Sequence, residues 1–170
     1  KSDGQRALLC AALSLGTTTI SNLGLSDDER IMVHNIKLFG AKIKWIETDK
    51  IEVIGIGKFP EYLELNAGES GLGLRLLGGV CATQKGIHHI NARGSLLNRD
   101  QSFFEQNLNR YGLEVTSKKG KPPLVFKGFI NTDNLEVDGS MSSQYISGLL
   151  IGLSFCNSEK KISVRGLNST

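Results

Sequence analysis

Residues 2–22 read SDGQRALLCAALSLGTTTISN, and residues 68–91 read GESGLGLRLLGGVCATQKGIHHIN. In both stretches a small or polar start leads into an apolar run of helical length, then a glycine, then a short strand rich in β-branched residues. Residues 139–166, opening GSMSSQYISGLL, run through the same order a third time. Repetition of this kind outranks any single local signal, because it says that one unit has been built several times.

A second shared block follows each of the first two copies. SDDERIMVHNIKLFGAKIKW (26–45) parallels NRDQSFFEQNLNRYGLEVTS (98–117), each with an Asp-rich start, a helical stretch, a glycine and a strand. Arg6 to Arg75, Gly16 to Gly86 and Gly40 to Gly112 are offset by 69, 70 and 72 positions, so the register holds across the whole unit. Each full unit reads helix, strand, helix, strand, strand, with repeats at about 1–62, 63–133 and 134–170, the third cut short.

Local signals agree. Ser26-Asp27-Asp28-Glu29 is a capping-box start, and Gly40 and Gly112 are natural residues to end the helices before them. Residues 42–45 and 51–55 flank Thr48-Asp49-Lys50 as a hairpin, and 113–116 with 124–126 flank a Lys/Gly/Pro turn. The first helix of each copy (7–13, 72–81, 146–155) is apolar nearly all round and so is expected to be buried on every side. KIKWIE and VDGSM alternate, as strands with one wet face do. The expected fold is a single α/β (α+β) domain over 1–170: an inside-out, barrel-like arrangement with pseudo-threefold repeats, parallel helices within and small β-sheets outside.

Composition sets the class. The chain is 39% hydrophobic and 22% charged, an ordinary globular balance, and no apolar stretch approaches the roughly 20 residues that cross a bilayer. With no signal or transit pattern at its start, it is expected in the cytoplasm, without a membrane partner. The formal net charge is +3, and apart from Lys118-Lys119-Lys121 and Lys160-Lys161 the basic residues are dispersed. Those clusters flank turns, which argues against a nucleic-acid footprint. Cys10, Cys81 and Cys156 sit in apolar runs and read as reduced packing residues, without metal-site spacing. His88-His89 on a strand point to opposite faces, so one is expected buried and one exposed rather than both on a ligand. His34 has no acidic neighbour placed to orient it, and GESGLG lacks the Lys-Ser/Thr of a P-loop.

Repeat symmetry brings the segments before the three helices together at one end: residues 1–6 (KSDGQR), 66–71 (NAGESG) and 139–144 (GSMSSQ). Helix starts offer free N–H groups and the positive end of the peptide dipole, and glycine lets an anion approach the backbone. One such segment needs no more than a capping role. Three together, with Lys1 and Arg6 beside them, form a site for a strongly anionic small molecule.

These segments resemble the 5-enolpyruvylshikimate-3-phosphate synthases. KSDGQRALLCAAL is similar to their Lys-Ser-x-x-x-Arg-Ala-Leu opening, ELNAGESGLGLRLL to their Asn-Ala-Gly segment, and VDGSMSSQYISGLL to their Gly-Ser-x-Ser-Ser-Gln helix start. The resemblance spans essentially the whole chain, while such enzymes are more than twice as long. It implies transfer of an enolpyruvyl group from phosphoenolpyruvate to the 5-hydroxyl of shikimate 3-phosphate, with release of phosphate and no metal or organic cofactor. It also implies a monomer whose second domain, absent here, supplies acid/base carboxylates and further cations.

Carried across, the resemblance gives Lys1 contact with both substrates and the catalytic role. Ser2, Arg6, Ser142, Ser143 and Ser169 then bind shikimate 3-phosphate. Asn66, Gly68 and Arg99 hold phosphoenolpyruvate, and Gln144 reaches both. Arg75 is a weaker correspondence, since the family commonly carries its arginine nearer the Asn-Ala-Gly segment. Glu69 stands where the family commonly has Thr, and its carboxylate must point away or pair with Arg75. Gln5 replaces the usual Asn. The enolpyruvyl transferase acting on UDP-N-acetylglucosamine shares the fold and is the nearest rival. Cys81, on an apolar helix, is poorly placed to serve as its cysteine. An RNA-phosphate-processing or binding module on the same repeat is the alternative of another class.

Overall fold

The computed structural model describes residues 1–167. In chain order the elements are α1 (Ser2–Leu13), β1 (Thr17–Ile20), α2 (Asp27–Leu38), β2 (Lys42–Glu47), β3 (Lys50–Ile54), β4 (Tyr62–Asn66), α3 (Gly71–Thr83), β5 (Ile87–Asn91), α4 (Phe103–Leu108), β6 (Leu113–Thr116), β7 (Leu124–Gly128), β8 (Asn134–Asp138), α5 (Ser143–Ser154) and β9 (Lys161–Arg165). They form a mixed α/β structure with three small sheets ordered β1-β3-β2, β4-β5-β7-β6 and β8-β9.

The sheets show one connectivity. β4 pairs parallel with β5 across the α3 crossover, and β8 pairs parallel with β9 across α5. β5-β7-β6 and β1-β3-β2 share the same antiparallel order. Helix ends follow the sequence signals. Ser26 and Glu29 close a reciprocal capping box on α2. At its far end Gly40 takes φ +104°, its N–H bonds Lys37 O, and the Ala41 N–H bonds Ile36 O, the paired bonds of a Schellman stop.

α3 is the buried axis: Leu74, Leu76, Leu77, Val80 and Cys81 are all fully enclosed. It lies against α5 through glycines on both sides. A Cβ added at Gly79 would overlap the Gly148 backbone, and one at Gly152 would meet Gly79 O at 2.9 Å and Val80 Cα at 2.9 Å. This approach is closer than any side chain permits, and it aligns the starts of the two helices.

Three expectations are corrected. Only α3 is enclosed almost all round; α1 leaves Cys10 exposed, and α5 leaves Leu150 half exposed. The reason is coverage: α2 packs on α1 and Phe104 of α4 packs on α3, while after β8 the described residues supply only α5 and β9. KIKWIE does not alternate in burial, because β2 is an edge strand with a bulge between Trp45 and Glu47, leaving Trp45 and Ile46 both exposed. VDGSM is a strand only to Asp138, where the side chain accepts the Ser140 N–H at 2.8 Å and turns the chain out of the sheet.

Candidate active site

Two side-chain bridges tie the three helix starts together. Ser70, the N-cap of α3, accepts the Gly73 N–H at 3.0 Å while its hydroxyl donates to Gln5 Oε1 of α1, also at 3.0 Å. Arg75 of α3 donates from Nη1 to Gln144 Oε1 of α5 at 2.7 Å. α1 and α5 therefore meet α3 on either side at the same end, and the expected convergence is present in the hydrogen bonds themselves. Gln5 is 1% exposed, so the Gln5–Ser70 bond is a buried one. Ser70→Ala removes a cap and leaves the Gln5 carbonyl unpaired, an expected loss of about 2 kcal/mol in urea unfolding, whereas Ser70→Thr keeps the hydroxyl and loses less.

Cations gather around this end. The Lys1 ammonium pairs with Asp28 Oδ2 at 2.9 Å, and the hydrogen bond and charge of Asp28 raise the Lys1 pKa. Lys1 is thereby kept charged and oriented along the first turn of α2. Among the described residues Arg6 has only an exposed partner, Asp3, at 3.5 Å, a pair that leaves the guanidinium free to exchange it. Arg99 lies over the start of α3: a Cβ on Gly71 would stand 3.4 Å from its Nη1. Arg99 is not on a helix start, as the sequence suggested. It follows a 3-10 turn over Gly94–Asn98, and α4 begins only at Phe103 because Asp100 turns the chain by accepting the Ser102 N–H at 2.9 Å.

The remaining residues divide by what they bond. α1 has no side-chain cap, so its first-turn N–H groups, beginning with Ser2, are unspent by side chains. Ser142 caps α5 by accepting the Gln144 N–H at 3.3 Å, and Ser143 is exposed beside it. Asn66 Oδ1 accepts the Gly68 N–H at 2.8 Å, and Gly68, at φ +59°, faces Ile31 of α2. Both shape the turn leading into α3. Ser169 lies outside the described residues.

Glu69 does not pair with Arg75, whose guanidinium is taken by Gln144. Its carboxylate lies instead over Gly94, a position with φ +57° that no side chain could share. Asp28 and Gly71 are the residues that sequence reasoning missed. The two acids beyond the one that the capping box uses were the signal for Asp28, and the glycine immediately after the Ser70 cap was the signal for Gly71.

Other titratable groups stand apart from this end. Burial pushes the Cys81 thiol up and makes it inert, and Cys156 is shifted the same way. Cys10, read as a packing residue, is exposed because its side of α1 borders a cleft of about 810 Å3. That cleft is lined by Leu13, Thr83 and Ser154 from the opposite ends of the three helices, where the dipole is negative, and by Lys58, Lys85 and Lys160. His88 is fully buried and His89 partly so, against Tyr62. Among the described residues no group of three or more His, Cys, Asp or Glu gathers as a metal site.

A sequence model described as "EPSP synthase (3-phosphoshikimate 1-carboxyvinyltransferase)" matches residues 1–170. The chain belongs to the EPSP synthase family. It is 34% identical over 171 residues to the 3-phosphoshikimate 1-carboxyvinyltransferase of Nitrosomonas europaea, covering 98% of this chain and 40% of that protein. It is 31% identical over 173 residues to the enzyme of the same name from Clostridium beijerinckii, covering 96% of this chain and 39% of that one. The chain thus spans about two fifths of the length of the curated relatives it matches. The EPSP synthase of Acinetobacter baumannii superposes with a TM-score of 0.81 at 24% identity over 97% of this chain and 38% of that one, which establishes a shared fold.

Proposed function

We propose that this chain is the shikimate-phosphate-binding half of an enzyme that transfers the enolpyruvyl group of phosphoenolpyruvate to the 5-hydroxyl of shikimate 3-phosphate. The observation that carries the reading is the joined end of α1, α3 and α5, locked by Gln5–Ser70 and Arg75–Gln144 and surrounded by Lys1, Arg6 and Arg99. Its two parallel crossovers and two matching antiparallel triplets support an inside-out barrel of pseudo-threefold repeats as one domain over 1–170, the third repeat incomplete. A second domain of the same polypeptide completes the site, in a monomeric, cytoplasmic enzyme of aromatic amino acid biosynthesis that needs no cofactor.

In this reading the uncapped start of α1, with Ser2, and the start of α5, with Ser142 and Ser143, grip the phosphate of shikimate 3-phosphate, Arg6 supplies a fork for its oxygens, and Ser169 is a further phosphate ligand. Arg99, above Gly71, holds phosphoenolpyruvate with Asn66 and Gly68. Lys1, kept protonated by Asp28, neutralises charge on the bridging oxygen as the 5-hydroxyl oxygen adds to C2 of phosphoenolpyruvate and a proton to C3; loss of a C3 proton with departure of phosphate then restores the double bond. The second domain closes over the site and excludes water, so the chain alone should release no phosphate from the two substrates.

The test is a titration of the nitrogen-15-labelled chain with shikimate 3-phosphate. Amide shifts should cluster at Ser2, Arg6, Gly71, Arg99 and Ser142 to Gln144, and UDP-N-acetylglucosamine should produce none. The reverse preference would identify the rival transferase, and a response only to polyanions that collapses with salt would indicate a nucleic-acid module.

A further inference from the structure

We propose that Arg75 is a positioning residue that holds Gln144 with its carboxamide nitrogen facing outward, as a hydrogen-bond donor for an anionic oxygen. Arginine carries donors only, so the Gln144 atom 2.7 Å from Arg75 Nη1 must be the carbonyl oxygen, and the NH2 group is turned away. Among the described residues that nitrogen has no protein partner, and it stands in the first turn of α5, next to the Ser142 cap. A glutamine free to flip would present either an acceptor or a donor; this one presents a donor.

The arginine is itself held in place. Its guanidinium carbon lies 5.0 Å from the centroid of the Tyr145 ring, which is stacked on Phe103 at 4.2 Å. The Tyr145 hydroxyl donates to Gln101 Oε1 at 2.8 Å, which fixes the ring from its other end. Among the described residues Arg75 Nε is buried without a partner, so the guanidinium is committed to Gln144 and the ring instead of being spread over several acceptors. The stack belongs to α3, α4 and α5 together, and it passes the rigidity of the core to one surface carboxamide.

The proposal rests on the reading of this end as an anion site, and its test separates the two. Nitrogen-15 spectra should show the Gln144 side-chain NH2 as a distinct, motionally restricted pair. Arg75→Met should release it, and Arg75→Lys, which still donates to the carbonyl, should largely restore it. Shikimate 3-phosphate affinity should fall about tenfold in Arg75→Met and about tenfold in Gln144→Leu, with little further loss in the double variant. Gln144→Glu should keep or raise the melting temperature by pairing with Arg75, yet lose binding by about a hundredfold because no donor is left.

A Gln144 amide equally mobile with and without Arg75 would overturn the proposal. So would additive losses in the double variant, which would mean that Arg75 touches the anion itself. Inorganic phosphate is the second probe: a Gln144-dependent response to phosphate but not to shikimate 3-phosphate would support the donor and reject the substrate reading. Silence with both would reject the donor as well.

Discussion

Gly148→Val is expected to destabilise the chain by about 3 kcal/mol or more, the top of the range for overpacking a core. Any Cβ at Gly148 overlaps the Arg75 carbonyl oxygen and stands 3.0 Å from Leu76 Cα. Both obstacles are backbone atoms of α3, so no rotamer change relieves the clash and the two helices must move apart. The separation also pulls Gln144 away from Arg75, so anion binding should weaken in whatever fraction remains folded. Urea unfolding followed by circular dichroism gives the size of the effect. Gly57→Ala is the control, because nothing lies within 4 Å of the added carbon, and it should change stability by less than about 0.5 kcal/mol.

The second large effect is a loss of stability in mild acid, with His88 as its source. His88 is 0% exposed, both ring nitrogens lack partners among the described residues, and its neighbours include Phe59 with centroids 5.4 Å apart and Phe126 as its cross-strand partner. Burial, reinforced by the adjacent His89, lowers its pKa from 6.5 to about 4. The folded chain therefore resists a proton that the unfolded chain accepts. Above pH 6.5 both states are neutral and the full stability is present. As pH falls from 6.5 towards 4, stability drops by roughly 1.4 kcal/mol per unit, about 3 kcal/mol in all, and levels off below that as the folded state protonates too. Unfolding free energies measured between pH 7 and pH 4 should show this slope in the unaltered chain and a much shallower one in His88→Leu. Equal slopes would place the acid sensitivity elsewhere.

Both effects arise where residues distant in sequence are pressed together, and that decides what could be read in advance. The repeat was legible because the physics behind it is local: caps, helix-stopping glycines and β-branched runs act within a few residues and recur at offsets near 70. From the recurrence came the order of most elements and the expectation that the helix starts gather at one end. Lys1 and Arg6 could be picked out because charge belongs to a residue type, while Arg99 and Gln144 were named by the resemblance to the family.

What each residue does with that capacity is settled by its neighbours. Gly68 and Gly71 are chemically identical, yet one faces Ile31 in a turn and the other lies beneath Arg99. Arg75 was weighed as a ligand residue or a partner for Glu69, and it bonds Gln144 across 69 positions of sequence. Asp28 was one of three acids at a helix start until the fold set it 2.9 Å from the Lys1 ammonium. Most helices and strands and the kinds of group available were readable along the chain, since those depend on short-range sterics and side-chain chemistry. Only the tertiary structure decided which of them meet, because the close glycine contact of α3 with α5 sets the distances, and hydrogen bonds and charges act only at contact.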